Sequence, residues 1–331
     1  MQVMMAESAG FCYGVKRAVD MARETAKKCR HSVMLGSIIH NANVVSELEA
    51  LGMRKVDSWD QVRPGETVVI RSHGERKEVF ERLEAMGAAC VNATCPNVLR
   101  IQQLVAQAQE EGRTPLIIGE MHHPEVLGAA SWSERSVILP GPRELENWLN
   151  EEPSRRNMPL TATAQTTCVQ GIWESSKEIL KKQCTNAKIF DTICNATHRR
   201  QTEAAELAAQ VDVMVVVGDR KSANTKHLAE ICREKCGRVV QIERAGELSS
   251  ELFEGCLVAG LTAGASTPAG IIKEVYTTMS EEIKNMESNE ESFEELLEKS
   301  FKTLNTGEKV TGIVTAVGPT EVQVGPGRKQ A

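Results

Sequence analysis

No stretch of this chain stays apolar for the roughly 18 residues that a bilayer-spanning helix needs. The N-terminus lacks a basic segment leading into a long apolar one, so no secretory signal is expected and the expected location is the cytoplasm. No Cys-x-x-Cys pair occurs, which removes the compact metal-binding patterns. No phosphate-binding loop of the Gly-x-x-x-x-Gly-Lys type is present. There is no surplus of positive charge either. The formal net charge is −6, which argues against an electrostatically driven nucleic-acid binder. Residues 281–300 hold eight Glu against two Lys, so the rest of the chain is close to neutral.

What is present is a chain of 331 residues, long enough to bury a sizeable core and to split into more than one domain. It carries ten cysteines. A disulfide framework does not suit a large α/β chain without a secretion signal. Buried structural thiols account for Cys29, Cys90, Cys168, Cys184 and Cys256, which have no distinctive neighbours. Cys232 and Cys236 fall on one helical face without flanking ligands.

Three cysteines remain, in one repeated arrangement. Cys12 lies in Gly-Phe-Cys-Tyr-Gly, Cys95 in Ala-Thr-Cys-Pro and Cys194 in Ile-Cys-Asn-Ala-Thr. Each follows a short strand-like run and precedes an amphipathic helical pattern. Three thiols thus stand at strand-to-helix turns, where a helix N-terminus lowers a thiol pKa. They can converge on one metal centre and leave one coordination position without a protein ligand, or they can be structural.

Strand-like runs at 33–36, 67–70, 115–119, 158–161, 213–218 and 257–261 alternate with helical patterns, which predicts parallel sheets covered by helices. Ligands of such sheets sit beyond the carboxyl ends of the strands. The loops expected there carry His40, His73, His123 with Glu125, Thr166 with Thr167, Ser222 with Asn224, and Thr262 with Ser266. One cysteine and two polar loops recur in each third of the chain, a weak repeat of architecture. Three α/β lobes about a pseudo-threefold axis bring all nine elements to one centre. Such loops can hold a small anion through hydroxyls, an amide, backbone N–H groups and two or three protonated His. Simple helix capping is the other reading of Ser222, Asn224 and Ser266. Of the adjacent pair His122 and His123, only one is expected to point inward. Glu125 suits proton delivery, its pKa raised by burial and nearby thiolates, or it is a helix-start carboxylate. His31, His198 and His227 read as ordinary.

These residues together resemble the 4-hydroxy-3-methylbut-2-enyl diphosphate reductase family over about residues 1–280. The resemblance rests on the order of Gly10-Phe11-Cys12-Tyr13-Gly14-Val15, His40-Asn41, Ser72-His73-Gly74, Ala93-Thr94-Cys95-Pro96, His123-Pro124-Glu125, Gln165-Thr166-Thr167, Cys194-Asn195-Ala196-Thr197, Ser222-Ala223-Asn224 and Thr262-Ala263-Gly264-Ala265-Ser266. It implies an α/β trefoil of three similar lobes around a central iron–sulfur cluster. The lobes would be 13–94, 95–193, and 1–12 with 194–280. Cys12, Cys95 and Cys194 would hold a [4Fe-4S] cluster with one iron not ligated by protein, open to the substrate hydroxyl. His40, His73, His123, Ser222, Asn224 and Ser266 would hold the diphosphate. Glu125 would supply a proton and Thr166 would orient the hydroxyl, with His123 beside them. Two electrons from a ferredoxin or flavodoxin type donor would expel the hydroxyl as water, giving isopentenyl and dimethylallyl diphosphate, the last step of the non-mevalonate isoprenoid pathway. Ala223 departs from the pattern, where relatives often carry a second Ser.

Two other readings stay open: an iron–sulfur hydro-lyase that consumes no electrons, and a phosphate-binding module with structural cysteines. Behind the resemblance, 281–304 reads as an acidic helical linker. Residues 305–331 resemble the opening strands of an OB-type RNA-binding repeat of a ribosomal protein. That piece is too short to close a barrel, so it is expected to be disordered and without nucleic-acid binding.

Overall fold

The computed structural model describes residues 2–282, 312–317 and 322–326. The chain opens with strand β1 (Gln2–Met5) and helix α1 (Tyr13–Lys28). It then lays down β2 (Ser32–Leu35), α2 (Ala42–Ala50), β3 (Arg54–Val56), β4 (Thr67–Ile70), α3 (Lys77–Ala85) and β5 (Ala89–Asn92). These four strands form one parallel sheet in the order β3-β2-β4-β5.

A second set follows: α4 (Pro96–Glu110), β6 (Thr114–Ile118), α5 (Pro124–Ala130), β7 (Val137–Leu139), α6 (Pro142–Glu151), β8 (Leu160–Ala164), α7 (Gln170–Gln183) and β9 (Ala187–Ile189). Its parallel sheet has the order β7-β6-β8-β9. The third set is α8 (Asn195–Ala208), β10 (Val213–Val217), α9 (Ala223–Arg233), β11 (Val239–Ile242) and β12 (Val258–Ala263). It supplies only three strands, and β1 completes the sheet as β11-β10-β12-β1. The N-terminal strand therefore takes the place that β5 and β9 hold in the other two lobes.

The central strands are apolar on both faces because helices cover both. Val33 and Leu35 pack with Leu83 of α3, while Met34 between them packs with Ala18 and Val19 of α1. The same split occurs in β6: Leu116 and Ile118 face Trp173 of α7, and Ile117 faces Ile101 and Val105 of α4. Burial on both sides explains why these strands read as continuous hydrophobic runs. The strand expected at 158–161 begins two residues later, at Leu160. Pro159 has no N–H for a ladder, and Leu160-Thr-Ala-Thr-Ala164 is the segment buried throughout.

Residues 269–282 are helical. Met1–Ser280 is one compact unit and Glu281–Ala331 another. In the second, β13 (Gly312–Val317) and β14 (Val322–Pro326) pair antiparallel with a bulge at Val314/Ala316. The acidic linker beyond residue 282 and the rest of the tail lie outside the described residues.

Candidate active site

Each of the three cysteines is the N-cap of the helix that follows an equivalent strand. Cys12 caps α1 after β1, Cys95 caps α4 after β5, and Cys194 caps α8 after β9. Their backbones are tied down in the same way three times. Cys95 N–H donates to Ser72 O at 2.9 Å, Cys194 N–H to Thr166 O at 3.0 Å, and Cys12 N–H to Ala265 O at 3.3 Å. The acceptors lie in the loops after β4, β8 and β12, the strands beside each cysteine strand. Close approach is built in: a Cβ on Gly14 would sit 2.5 Å from Cys95 Sγ, so α1 reaches Cys95 only with glycine there.

The three thiols line one cavity. His40, His73, His123, Glu125, Thr166, Ser222, Asn224 and Ser266 line it as well. The structure thus brings these candidates together, while Thr262 lies within β12 and does not line the cavity. Among the described residues, no three His, Cys, Asp or Glu side chains converge closely enough to hold a single metal ion.

Thr166 holds Glu125 with two hydrogen bonds. Its N–H donates to Oε1 at 2.6 Å and its hydroxyl to Oε2 at 2.8 Å. The carboxyl is 2% exposed, and burial pushes its pKa up to about 7 against those two bonds. The charged neighbour that adds to the rise is Glu120, not the thiols. A helix-start carboxylate in solvent would show none of this.

His123 accepts from Glu125 N–H through Nδ1 at 3.1 Å, so the neutral ring carries its proton on Nε2 as a donor. His122 beside it is exposed. The rings of His40, His73 and His123 crowd together, with centroids 4.5, 5.8 and 6.4 Å apart. Burial lowers the pKa of all three. It puts His73 well below the ordinary value with help from repulsion by the other two, and His123 at about 4. The expectation that protonated His supply positive charge is therefore corrected for the site without an anion: the rings are neutral donors there. A second correction concerns Cys95. Burial lifts its thiol to about 11, outweighing the helix-start N–H groups of Asn97 and Val98 that pull it down.

Unsatisfied groups mark the polar wall. His40 Nε2, His73 Nδ1, both polar atoms of the Asn224 amide and Ser266 Oγ are buried without partners among the described residues. Ser222 is the N-cap of α9, yet its side chain makes no capping bond. The capping reading of these residues fails, since their polar atoms are not spent on the helix. Orphaned buried polar atoms cost about 1–3 kcal/mol each, and a polar ligand in the cavity would satisfy them.

Sequence reading missed several residues. Arg200 is buried among the thiols, and Asn97 donates to Cys194 Sγ at 3.1 Å. His227, read as ordinary, bonds Thr167 O through Nδ1 at 2.8 Å and faces Glu120 at 3.6 Å, linking α9 to the second lobe. The one available signal was spacing: Arg200 lies six residues beyond Cys194, inside the helix that cysteine caps. Of the cysteines read as buried, Cys90 is exposed, because β5 is an edge strand. Cys236 falls three residues beyond the end of α9, yet its N–H still donates to Cys232 O at 2.8 Å and both thiols pack in the same core.

Residues 3–280 match the family model described as LytB protein. The chain belongs to the LytB family. Its relatives agree. A 4-hydroxy-3-methylbut-2-enyl diphosphate reductase of Caldanaerobacter subterraneus is 38% identical over 88% of this chain and 100% of its own. One from Anaeromyxobacter sp. (strain K) is 40% identical over 83% and 97%. One from Clostridium acetobutylicum is 36% identical over 97% of this chain, which spans 50% of that longer protein. Among solved structures, an (E)-4-hydroxy-3-methyl-but-2-enyl diphosphate reductase aligns over 85% of this chain and 100% of its own, with 35% identity and a TM-score of 0.62. The Plasmodium falciparum enzyme, at 24% identity and a TM-score of 0.78 over 83% and 87%, shares the fold. The three parallel-sheet lobes of this chain are the LytB architecture. The LytB match ends at residue 280, and the OB-type repeat expected behind it gains no support from these relatives.

Proposed function

We propose that this chain reductively dehydroxylates 4-hydroxy-3-methylbut-2-enyl diphosphate to isopentenyl and dimethylallyl diphosphate, the terminal step of the non-mevalonate isoprenoid pathway. The observation that carries the mechanism is the division of one cavity. Three thiols at equivalent helix starts supply one part of its lining, and buried polar atoms without partners among the described residues supply another.

The residues fit an iron–sulfur cluster. Three soft thiol ligands line one cavity, and a buried arginine N–H in the same lining has no partner among the described residues. When bound through Cys12, Cys95 and Cys194, a [4Fe-4S] cluster with one iron free of protein ligands would polarise the substrate hydroxyl and supply electrons. His40, His73, His123, Ser222, Asn224 and Ser266 hold the diphosphate. The unpartnered atoms of His40, His73, Asn224 and Ser266 support that role. Thr166 orients the hydroxyl. Glu125 keeps a proton at pH values below about 7 and gives it to the departing hydroxyl, which leaves as water. Burial excludes bulk water from this carboxyl, so the proton is held for the reaction.

The lobes run 13–94, 95–193, and 1–12 with 194–280 around a pseudo-threefold axis. The half-buried thiols leave the cluster within reach of a ferredoxin or flavodoxin type donor. We place the enzyme in the cytoplasm, where its ten free thiols would stay reduced. For 305–331 the OB-type reading rests on the hairpin alone, and no nucleic-acid role is assigned to it.

The test is anaerobic Mössbauer spectroscopy of the reconstituted protein with and without the hydroxylated diphosphate, alongside measured reductant consumption. One iron site should change on substrate addition, and two electrons should be used per product. A protein that binds no iron would overturn the reading. Product formation without reductant would point to a hydro-lyase instead.

A further inference from the structure

We infer that Arg200 is a positioning residue for the bound cluster: its guanidinium ties the Cys12 and Cys194 loops together and turns one N–H toward a cluster or cysteine sulfur, raising the cluster's reduction potential. The inference rests on the iron–sulfur reading above.

Arg200 sits in α8, six residues past Cys194, and is 4% exposed. Two arms of its fork are already used. Nη2 donates to Gly10 O and Nη1 donates to Ala196 O at 3.1 Å. Gly10 lies two residues before Cys12, and Ala196 two residues after Cys194. The side chain therefore bridges the two cysteine turns of one lobe. The third arm, Nε–H, is buried and has no partner among the described residues.

The charge is unanswered as well. No carboxylate forms a salt bridge with Arg200 among the described residues. Glu203, the nearest candidate on α8, is engaged by Ser8 N–H at 2.9 Å and by Arg199 at 2.6 Å. A buried cation with an unmet N–H is costly unless an anion meets it. The two turns that its guanidinium bridges are those of Cys12 and Cys194. Both line the same cavity as Arg200. The diphosphate is a poorer match, because both carbonyl anchors of the guanidinium lie in the cysteine turns. A guanidinium is planar and fixed by its fork, so two anchored arms set the direction of the third. Positive charge and N–H donors near cluster sulfurs favour the reduced state, and outer-shell donors also hold the ligands in place.

The experiment compares wild type, Arg200→Gln and Arg200→Lys, reconstituted anaerobically without substrate. Midpoint potentials come from dye-mediated titration followed by EPR, with iron and sulfide counts and melting curves alongside. In Arg200→Gln the reduced-to-oxidised ratio at a fixed potential should fall about tenfold, which is 59 mV for a one-electron couple. Arg200→Lys keeps the charge but loses the anchored fork, and should shift the ratio by less than Arg200→Gln does. An unchanged potential in Arg200→Gln would overturn the inference, as would a Lys variant shifted as far as the Gln variant. If Arg200→Gln holds no cluster, retention by Arg200→Lys supports the role and equal loss overturns it. A raised KM for the diphosphate at unchanged potential would assign Arg200 to the substrate instead. Failure of the wild type itself to take up iron would remove the cluster reading, a separate result.

Discussion

The loops after the edge strands β1, β5 and β9 and the loops after the central strands differ in a way that divides the labour of the site. The edge-strand loops deliver the same residue three times, in the same N-cap position, tied by the same N–H to carbonyl bond. The central-strand loops deliver His, His, His with Glu, Thr, Ser with Asn, and Ser. Their topology is just as repetitive, so architecture does not force the difference. The proposed cluster and substrate would account for it. A cluster with three equivalent corners suits three copies of one group. A substrate with a hydroxyl at one end and a diphosphate at the other suits loops that have diverged.

The sharpest way to break this comparison is to test the equivalence of the thiols. Cys12→Ser, Cys95→Ser and Cys194→Ser should each abolish cluster uptake and turnover, read by iron content and visible absorption. One variant that kept a full cluster and activity would show that the three turns are not equivalent. Next in size is Glu125→Gln, which should cut kcat by about 10²–10⁴ with the cluster intact. Wild-type kcat should fall as pH rises through about 7, where Glu125 loses its proton, and the variant should lack that limb. The stability sign agrees. A carboxyl whose pKa is raised by folding stabilises below its unfolded value, and that contribution is lost as pH rises through about 7. Glu125→Gln should therefore melt higher than wild type at pH 8.

The histidine wall gives a smaller effect with its own signature. Removing a hydrogen bond to a charged group costs about 1.5–3 kcal/mol, so His73→Asn should raise KM about 10- to 150-fold. Burial and mutual repulsion keep the rings neutral in the free site, so diphosphate binding between pH 6 and 7 should draw in protons. Calorimetry in buffers of different ionisation enthalpy measures that uptake, and His73→Asn should reduce it. Because the folded His pKa values are depressed, their contribution to stability is present above about 6.5 and is lost as pH falls toward about 4. The smallest effect is restoration of a hydroxyl. Ala223 lines the cavity, and Ala223→Ser should lower KM about two- to tenfold, the worth of one neutral hydrogen bond. An unchanged KM would place that hydroxyl outside the diphosphate contacts.

Much of this site was legible because its residues follow strands. A short apolar run and then a helical pattern mark where Cys12, Cys95 and Cys194 must stand, and the same logic finds His40, His73 and Ser222. Arg200 was not legible, because it sits inside a helix where arginine is ordinary and only the approach of Gly10 makes it a bridge. His227 was hidden for the same reason, since its partners Thr167 and Glu120 belong to another lobe. The start of β8 was misplaced because Thr-Ala alternation looks half-exposed until helices are known to cover both faces.

The sequence by itself determined the element order, the three equivalent turns and the residue types at the strand ends, since each depends on neighbours within a few positions. Only the tertiary structure decided that β1 pairs in parallel with β12, that the imidazoles are neutral and that Glu125 titrates near 7. Those properties depend on desolvation and on charges brought close by folding, and both are sums over residues far apart along the chain.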